Sequence, residues 1–175
     1  MRWPKKPMPA PETRSTHKFL RDRAILIGSP ISDVLAADVL DALGHLQTNG
    51  RGPITIYINS PGGLALAAEK IVRAIGGSSS AVSTHCLGRA GGASAHIFAA
   101  GRRRSATSDS IVSFDSFRGD DCVGTAEIEE VMRRFISLTS VALGISPEVL
   151  SQWSREERSF IGTSLVKAGI AHEIR

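Results

Sequence analysis

Hydrophobic positions along the chain alternate between short continuous runs and spaced stripes, and each kind predicts a different element. "AILIG" at 24–28 is an apolar run closed by glycine, which predicts a buried strand. "SPISDVLAADVLDALGHLQTNG" then places Leu35, Val39, Leu43 and Leu46 on one helical face. Ser32 or Asp33 is the expected N-cap, and Gly50 lies past the end. "PITIYIN" at 53–59 is β-branched at nearly every position, as expected of a strand covered on both faces. A helix follows over 64–75, stopped by Gly76 and Gly77. "SAVSTHC" at 80–86 predicts another strand, the small residues of 91–100 a helix, and "SIVSF" at 110–114 a further strand. The longest amphipathic pattern runs from Thr125 to Leu143, with Ile128, Val131, Met132, Phe135, Leu138 and Ala142 on one stripe. Pro147 suits the first turn of a helix over 147–154. The tail "TSLVKAGIAHEI" predicts a helix stopped by Gly169 and then a short strand. Strand and helix alternate through the middle of the chain, so the fold class is α/β, with repeated βαβ units and a mostly parallel sheet.

Composition narrows the class. The chain has 175 residues, 42% hydrophobic and 22% charged, which suits one globular domain with a sizeable core. No window approaches the roughly 18 uninterrupted apolar residues of a membrane helix. The first residues, "MRWPKKPMPAPETRS", are basic but lack the apolar centre of a secretory signal. A cytoplasmic protein without membrane contact is the expectation. The net charge of +4 is unevenly spread: residues 1–24 hold seven Lys/Arg against Glu12 and Asp22, so the remainder is close to neutral. The basicity therefore belongs to a Pro-rich flexible leader, residues 1–22, ahead of a folded unit over 23–175, and no nucleic-acid partner is expected. The run "RRR" at 102–104 reads as a solvated loop. Cys86 and Cys122 lack CxxC or Cys/His ligand spacing, and the five histidines are scattered. Neither a disulfide framework, a metal site nor a cofactor is implied.

Two glycine-rich turns carry the chemistry. In "YINSPGG" a strand delivers the chain to a turn from which a helix starts. Pro61 sets one φ, while Gly62 and Gly63 permit positive φ and close approach of a second backbone. Bare amides there suit a phosphate, a carboxylate or a developing oxyanion. No GxxxxGK[ST] or GxGxxG pattern accompanies them, so phosphate cradling lacks support. About 25 residues later, "GRAGGASA" has the small-residue crowding of a nucleophile-bearing turn, yet holds glycine at its centre.

Together, "YINSPGG", "GRAGGASA" and the closing "RSFIGTSLVKAGIAHEI" resemble the Clp protease proteolytic subunit family, within the broader ClpP/crotonase group, from about Arg23 to the C-terminus. The resemblance implies a ClpP/crotonase-like fold of repeated ββα/βαβ units. It also implies an oxyanion hole from the amides of Gly63 and Ala93. The family's nucleophilic serine falls on Gly92, its general-base histidine on Asp115 and its orienting aspartate on Arg158. Without a hydroxyl there is no acyl-enzyme, and without imidazole no suitable base near neutral pH. The resemblance thus implies a subunit whose triad is degenerate.

Relocated chemistry finds little material. Ser94, two residues beyond Gly92, points about 200° away on a helix, and His96 does not face Ser94. Ser113 and Ser116 flank Asp115 without a base, and His85 reads as a satisfied core histidine. Crotonase-like thioester chemistry, with Asp115 at the mouth of the oxyanion hole, is the other enzymatic alternative. The family's long "handle" helix falls on Gly124–Gly144, shorter by two turns, about 11 Å. The resemblance further implies a homo-oligomeric ring, with an active Clp paralogue or an AAA+ unfoldase as partners.

Overall fold

The computed structural model describes residues 20, 22–115 and 125–175; the leader assigned to 1–22 and the residues around Ser116 and Cys122 lie outside the described set. The elements run β1 (Ala24–Ile27), α1 (Asp33–Thr48), β2 (Ile54–Ser60), α2 (Ala65–Gly76), β3 (Val82–Gly91), α3 (Ala93–Ala99), β4 (Arg103–Ala106), β5 (Ile111–Phe114), α4 (Thr125–Leu143), α5 (Pro147–Arg155), β6 (Arg158–Ile161), α6 (Thr163–Lys167) and β7 (Glu173–Ile174).

The strands form one sheet in the order β1-β2-β3-β4-β7, all parallel, with β5 joined to the far half of β3 and β6 antiparallel to β5. This is the mixed α/β, mostly parallel architecture expected of the ClpP/crotonase-like fold. β3 is the central strand, and β2 beside it carries much of the core: Ile54, Ile56 and Ile58 are completely buried. Each such side chain contributes about 1.5–3 kcal/mol of burial. α1 and α2 cover this part of the sheet through Val39, Leu43, Ile71 and Ile75. Ser32 is the N-cap of α1, its hydroxyl accepting the Leu35 N–H at 3.2 Å. Ser146 caps α5 in the same way, with Pro147 opening that helix as its sequence indicates.

Four expectations change. β3 does not stop at Cys86 but continues to Gly91, pairing with β4 through Ser83–Cys86 and with β5 through Arg89–Gly91. A register shift against β2 near Asn59, whose side-chain oxygen accepts the Arg89 N–H at 3.2 Å, lets one strand serve both neighbours. The small-residue helix accordingly starts at Ala93 rather than 91.

The arginine run is not a solvated loop. Residues 103–106 form β4, and Arg104 is 5% exposed. Its guanidinium donates to Ile170 O (2.7 Å), Ala142 O (3.1 Å), Gly101 O (3.2 Å) and Gly169 O (3.3 Å). Four carbonyls at the ends of neighbouring elements take the place of water. The third change is β6, whose four residues pair antiparallel with β5 at the edge of the sheet. On α4, Val131, Phe135 and Leu143 are buried, but Leu138 is 44% exposed, so the stripe covers less than its pattern indicates. Of the Ile128 side chain nothing is described.

Candidate functional site

Both glycine-rich turns lie at the carboxyl ends of adjacent parallel strands, β2 and β3, where α/β sheets place their sites. At the end of β2, the Ser60 hydroxyl accepts the Gly62 N–H at 3.2 Å and shapes the turn. Ile31 bridges to Gly63: its N–H donates to Gly62 O at 2.8 Å, and its carbonyl accepts the Leu64 N–H at 2.9 Å. A β-carbon on Gly63 would lie 2.3 Å from Ile31 O, so no other residue fits that backbone (φ +145°). A β-carbon on Gly62 would lie 2.7 Å from Gly91 O, and one on Gly91 would lie 2.8 Å from Pro61 O. The two turns therefore touch backbone to backbone. Ser94 fastens them: fully buried, its hydroxyl sits 2.9 Å from Ser60 O and 2.8 Å from Gly91 O as donor.

Gly92 is the single residue between β3 and α3, with φ +46° and ψ −121°. Its N–H donates to Ser113 O of β5 at 2.9 Å, which holds the corner in place. A strand-to-helix corner with positive φ presents its β-substituent outward, the geometry of a nucleophile elbow. A β-carbon built there meets one group within 4 Å, the Asp115 carboxylate, at 3.9 Å from Oδ2. Among the described residues, no backbone carbonyl takes the N–H of Gly63 or of Ala93.

The structure thus brings Gly62, Gly63, Gly92, Ala93 and Asp115 into one corner. Asp115 follows β5, and its Oδ2 accepts from the Ser113 hydroxyl at 3.1 Å. Arg158 does not join them. It is exposed, its register partner on β5 is Phe114, and its guanidinium lies over the rings of Phe160 (5.2 Å) and Trp153 (5.9 Å).

The histidines stand elsewhere. His96 is fully buried between α3 and α4, with Nδ1 2.7 Å from the Thr139 hydroxyl and its ring stacked on Phe135 at 4.6 Å. Burial drives its pKa down to about 3, so it stays neutral at physiological pH. His85 bonds the Ser105 hydroxyl through Nδ1 at 2.7 Å, and its pKa is lowered by burial and then by Arg175. Cys86 is buried and its thiol pKa is raised, first by desolvation, which leaves it unreactive. Sequence reasoning missed the Ser94 fastening and the His96–Thr139 contact. Each joins residues brought together only by tertiary packing. Among the described residues, no group of three or more His, Cys, Asp or Glu could hold a metal ion, and no helix is long and apolar enough to cross a membrane.

Comparison with known proteins identifies relatives of this chain. The Clp protease family model matches residues 11–174. The chain is 29% identical over 164 residues to the ATP-dependent Clp protease proteolytic subunit 4 of Rhodococcus jostii, covering 88% of this chain and 84% of that one. It is 30% identical to proteolytic subunit 1 of Cutibacterium acnes (77% and 68% covered) and 30% identical to proteolytic subunit 2 of Gloeobacter violaceus (77% and 67% covered).

Proposed function

The chain belongs to the Clp protease family, and from that premise we propose that it is a Clp-protease-like subunit with no peptidase activity of its own, serving as a ring or scaffold component. One observation carries this reading: the corner between β3 and α3 holds glycine, and what faces it is the Asp115 carboxylate rather than an imidazole. A hydrolytic cycle through an acyl-enzyme needs an oxygen on residue 92 and a neutral base beside it. A carboxylate is too weak a base near neutrality to deprotonate a serine hydroxyl. The Ser94 hydroxyl is directed to two carbonyls and sealed from solvent, which makes it a poor substitute nucleophile.

The amides of Gly63 and Ala93 are retained in this reading as an oxyanion hole without its nucleophile. The subunit assembles as a homo-oligomeric ring in the cytoplasm, alone or with an active Clp paralogue, and an AAA+ unfoldase is its further partner. A handle shortened by about two turns weakens contact between stacked rings. Light scattering at micromolar concentration tests assembly, and a monomer refutes it.

A serine-reactive fluorophosphonate probe, run beside a peptide-hydrolysis assay, tests the central claim. No specific labelling and no turnover are expected; either one overturns it. Gly92→Ser alone is expected to remain inactive, because base and orienter are still missing. Activity from that single change would reveal a base that the reading omits.

A second reading is favoured by the 3.9 Å approach of Asp115 to the vacant corner. The same amides would stabilise a thioester enolate or oxyanion, with Asp115 as acid or base, in an enzyme of altered ClpP/crotonase chemistry. Turnover of an acyl thioester that is lost in Asp115→Asn distinguishes it from the scaffold reading.

A further inference from the structure

At the opposite end of the sheet from the glycine turns, the amino-terminal ends of β3, β4 and β7 line up around an open groove. A cavity of about 380 Å³ is lined by Ala81, Ser83, Arg102, Arg103 and His172. A second, of about 260 Å³, shares Ala81 and Arg102 with it and continues past Ser78 and Ser80. Parallel pairing sets Ser83 beside Arg103, and His172 is tied to Arg104 by two hydrogen bonds. The His172 N–H donates to Arg104 O at 2.8 Å, and the Arg104 N–H donates to His172 Nδ1 at 2.9 Å. With Nδ1 accepting, the neutral ring carries its proton on Nε2. Burial, then the Arg104 charge, lowers the pKa of this ring and favours that neutral form.

The polar groups around the first cavity are therefore donors: two guanidiniums, one Nε2–H and one hydroxyl. One carboxylate intrudes. Glu173 pairs with Arg103 at 3.0 Å and with Arg175 at 2.5 Å. Arg102 has no carboxylate partner among the described residues.

We propose that this groove binds an acidic peptide segment of another chain, its carboxylates held by Arg102, Arg103, His172 and Ser83. Ser83, Arg103 and His172 border the first cavity and Arg102 borders both, which suits an extended segment running from one cavity into the other. They do not converge as a phosphate nest does. The amides that could build a nest are engaged: the Ser79 N–H donates to Gln47 Oε1 at 3.0 Å, and the Ser80 N–H to Ser78 Oγ at 3.2 Å. Charge excludes the chain's own leader, since residues 1–22 carry six Lys/Arg against Glu12 and Asp22, a net of +4, and meet like charge here. No residue of the groove belongs to the glycine-turn corner, so peptide binding here is independent of peptidase activity.

The test is fluorescence anisotropy of fluorescein-labelled hexaglutamate against the full chain, with hexaglutamine as control. Hexaglutamate binds, hexaglutamine does not, and added salt weakens binding as it does for exposed charge pairs. Arg102→Gln, a surface change that leaves folding intact by circular dichroism, weakens binding roughly five-fold, the scale of one exposed charge contact. Glu173→Gln frees Arg103 and tightens binding. An unchanged affinity in Arg102→Gln, or equal binding of hexaglutamine, overturns the proposal. Displacement by inorganic phosphate at concentrations equal to the peptide also overturns it, by assigning a small-anion site instead.

Discussion

Lowering the pH from 7 to 5 should cost this protein stability, and His96 contributes a share that can be worked out. The imidazole is fully buried between α3 and α4, and its pKa falls from 6.5 to about 3. Its folded pKa is depressed, so the unfolded chain takes up a proton below pH 6.5 that the folded chain refuses until about pH 3. Across that window stability falls with pH, by up to about 1.4 kcal/mol per unit. For one group with these two pKa values, the loss between pH 7 and pH 5 is about 1.9 kcal/mol. His85 and His172 are also lowered, and they add to the slope. The measurement must therefore isolate His96. His96→Asn keeps a polar atom near the Nδ1 position, within reach of the Thr139 hydroxyl, while removing the titration. Urea unfolding of both proteins at pH 7 and pH 5 gives two stability gaps, from which the shared histidines cancel. The wild type is the more stable at pH 7, and its advantage shrinks by about 1.9 kcal/mol at pH 5. A gap that stays constant to within about 0.5 kcal/mol would refute the reasoning. It would mean that the imidazole charges as readily inside the fold as outside.

Three further outcomes follow from named contacts. Gly63→Ala drives a β-carbon to 2.3 Å from Ile31 O, a backbone atom that cannot swing away. It should lower stability by more than about 3 kcal/mol or prevent folding, as thermal unfolding would show. Gly92→Ala meets no clash but must hold φ +46°, so its cost is strain alone, about 1–3 kcal/mol, read from the same melts. If Gly92→Ala proves as damaging as Gly63→Ala, the corner is tighter than this geometry allows. Arg104→Met removes the donor shared by four carbonyls at the ends of neighbouring elements and should cost about 3 kcal/mol or more in urea unfolding, whereas Arg102→Met, on the surface, should cost less than about 0.5 kcal/mol.

The parts of the fold legible in the sequence are those whose cause is local. β2 announces itself because isoleucine at every second position, with β-branched or aromatic residues between, has few alternatives to a buried strand. α1 and α5 announce their starts because Ser32 and Ser146 cap the residues immediately after them. β4 stayed hidden because three consecutive arginines carry a solvent signal. What buries Arg104 is a set of carbonyls drawn from Gly101, Ala142, Gly169 and Ile170, up to 66 residues away. β6 stayed hidden because "RSFI" has no period of its own and is a strand only through its pairing with β5. Helical spacing puts Leu138 on the core stripe, yet packing, not periodicity, decides how wide a stripe the rest of the molecule covers.

The candidate site divides in the same way. The sequence by itself determined the two turns, their positive-φ glycines and the residue types at 92, 115 and 158, because glycine where a chain reverses sharply has a local steric cause. Only the tertiary structure decided that the turns touch backbone to backbone, that Ser94 fastens them and that the Asp115 carboxylate faces the Gly92 corner while Arg158 lies over aromatic rings. Those relations join strands paired across the sheet. Pairing of that kind is set by the burial of whole faces at once, which no short stretch of sequence records.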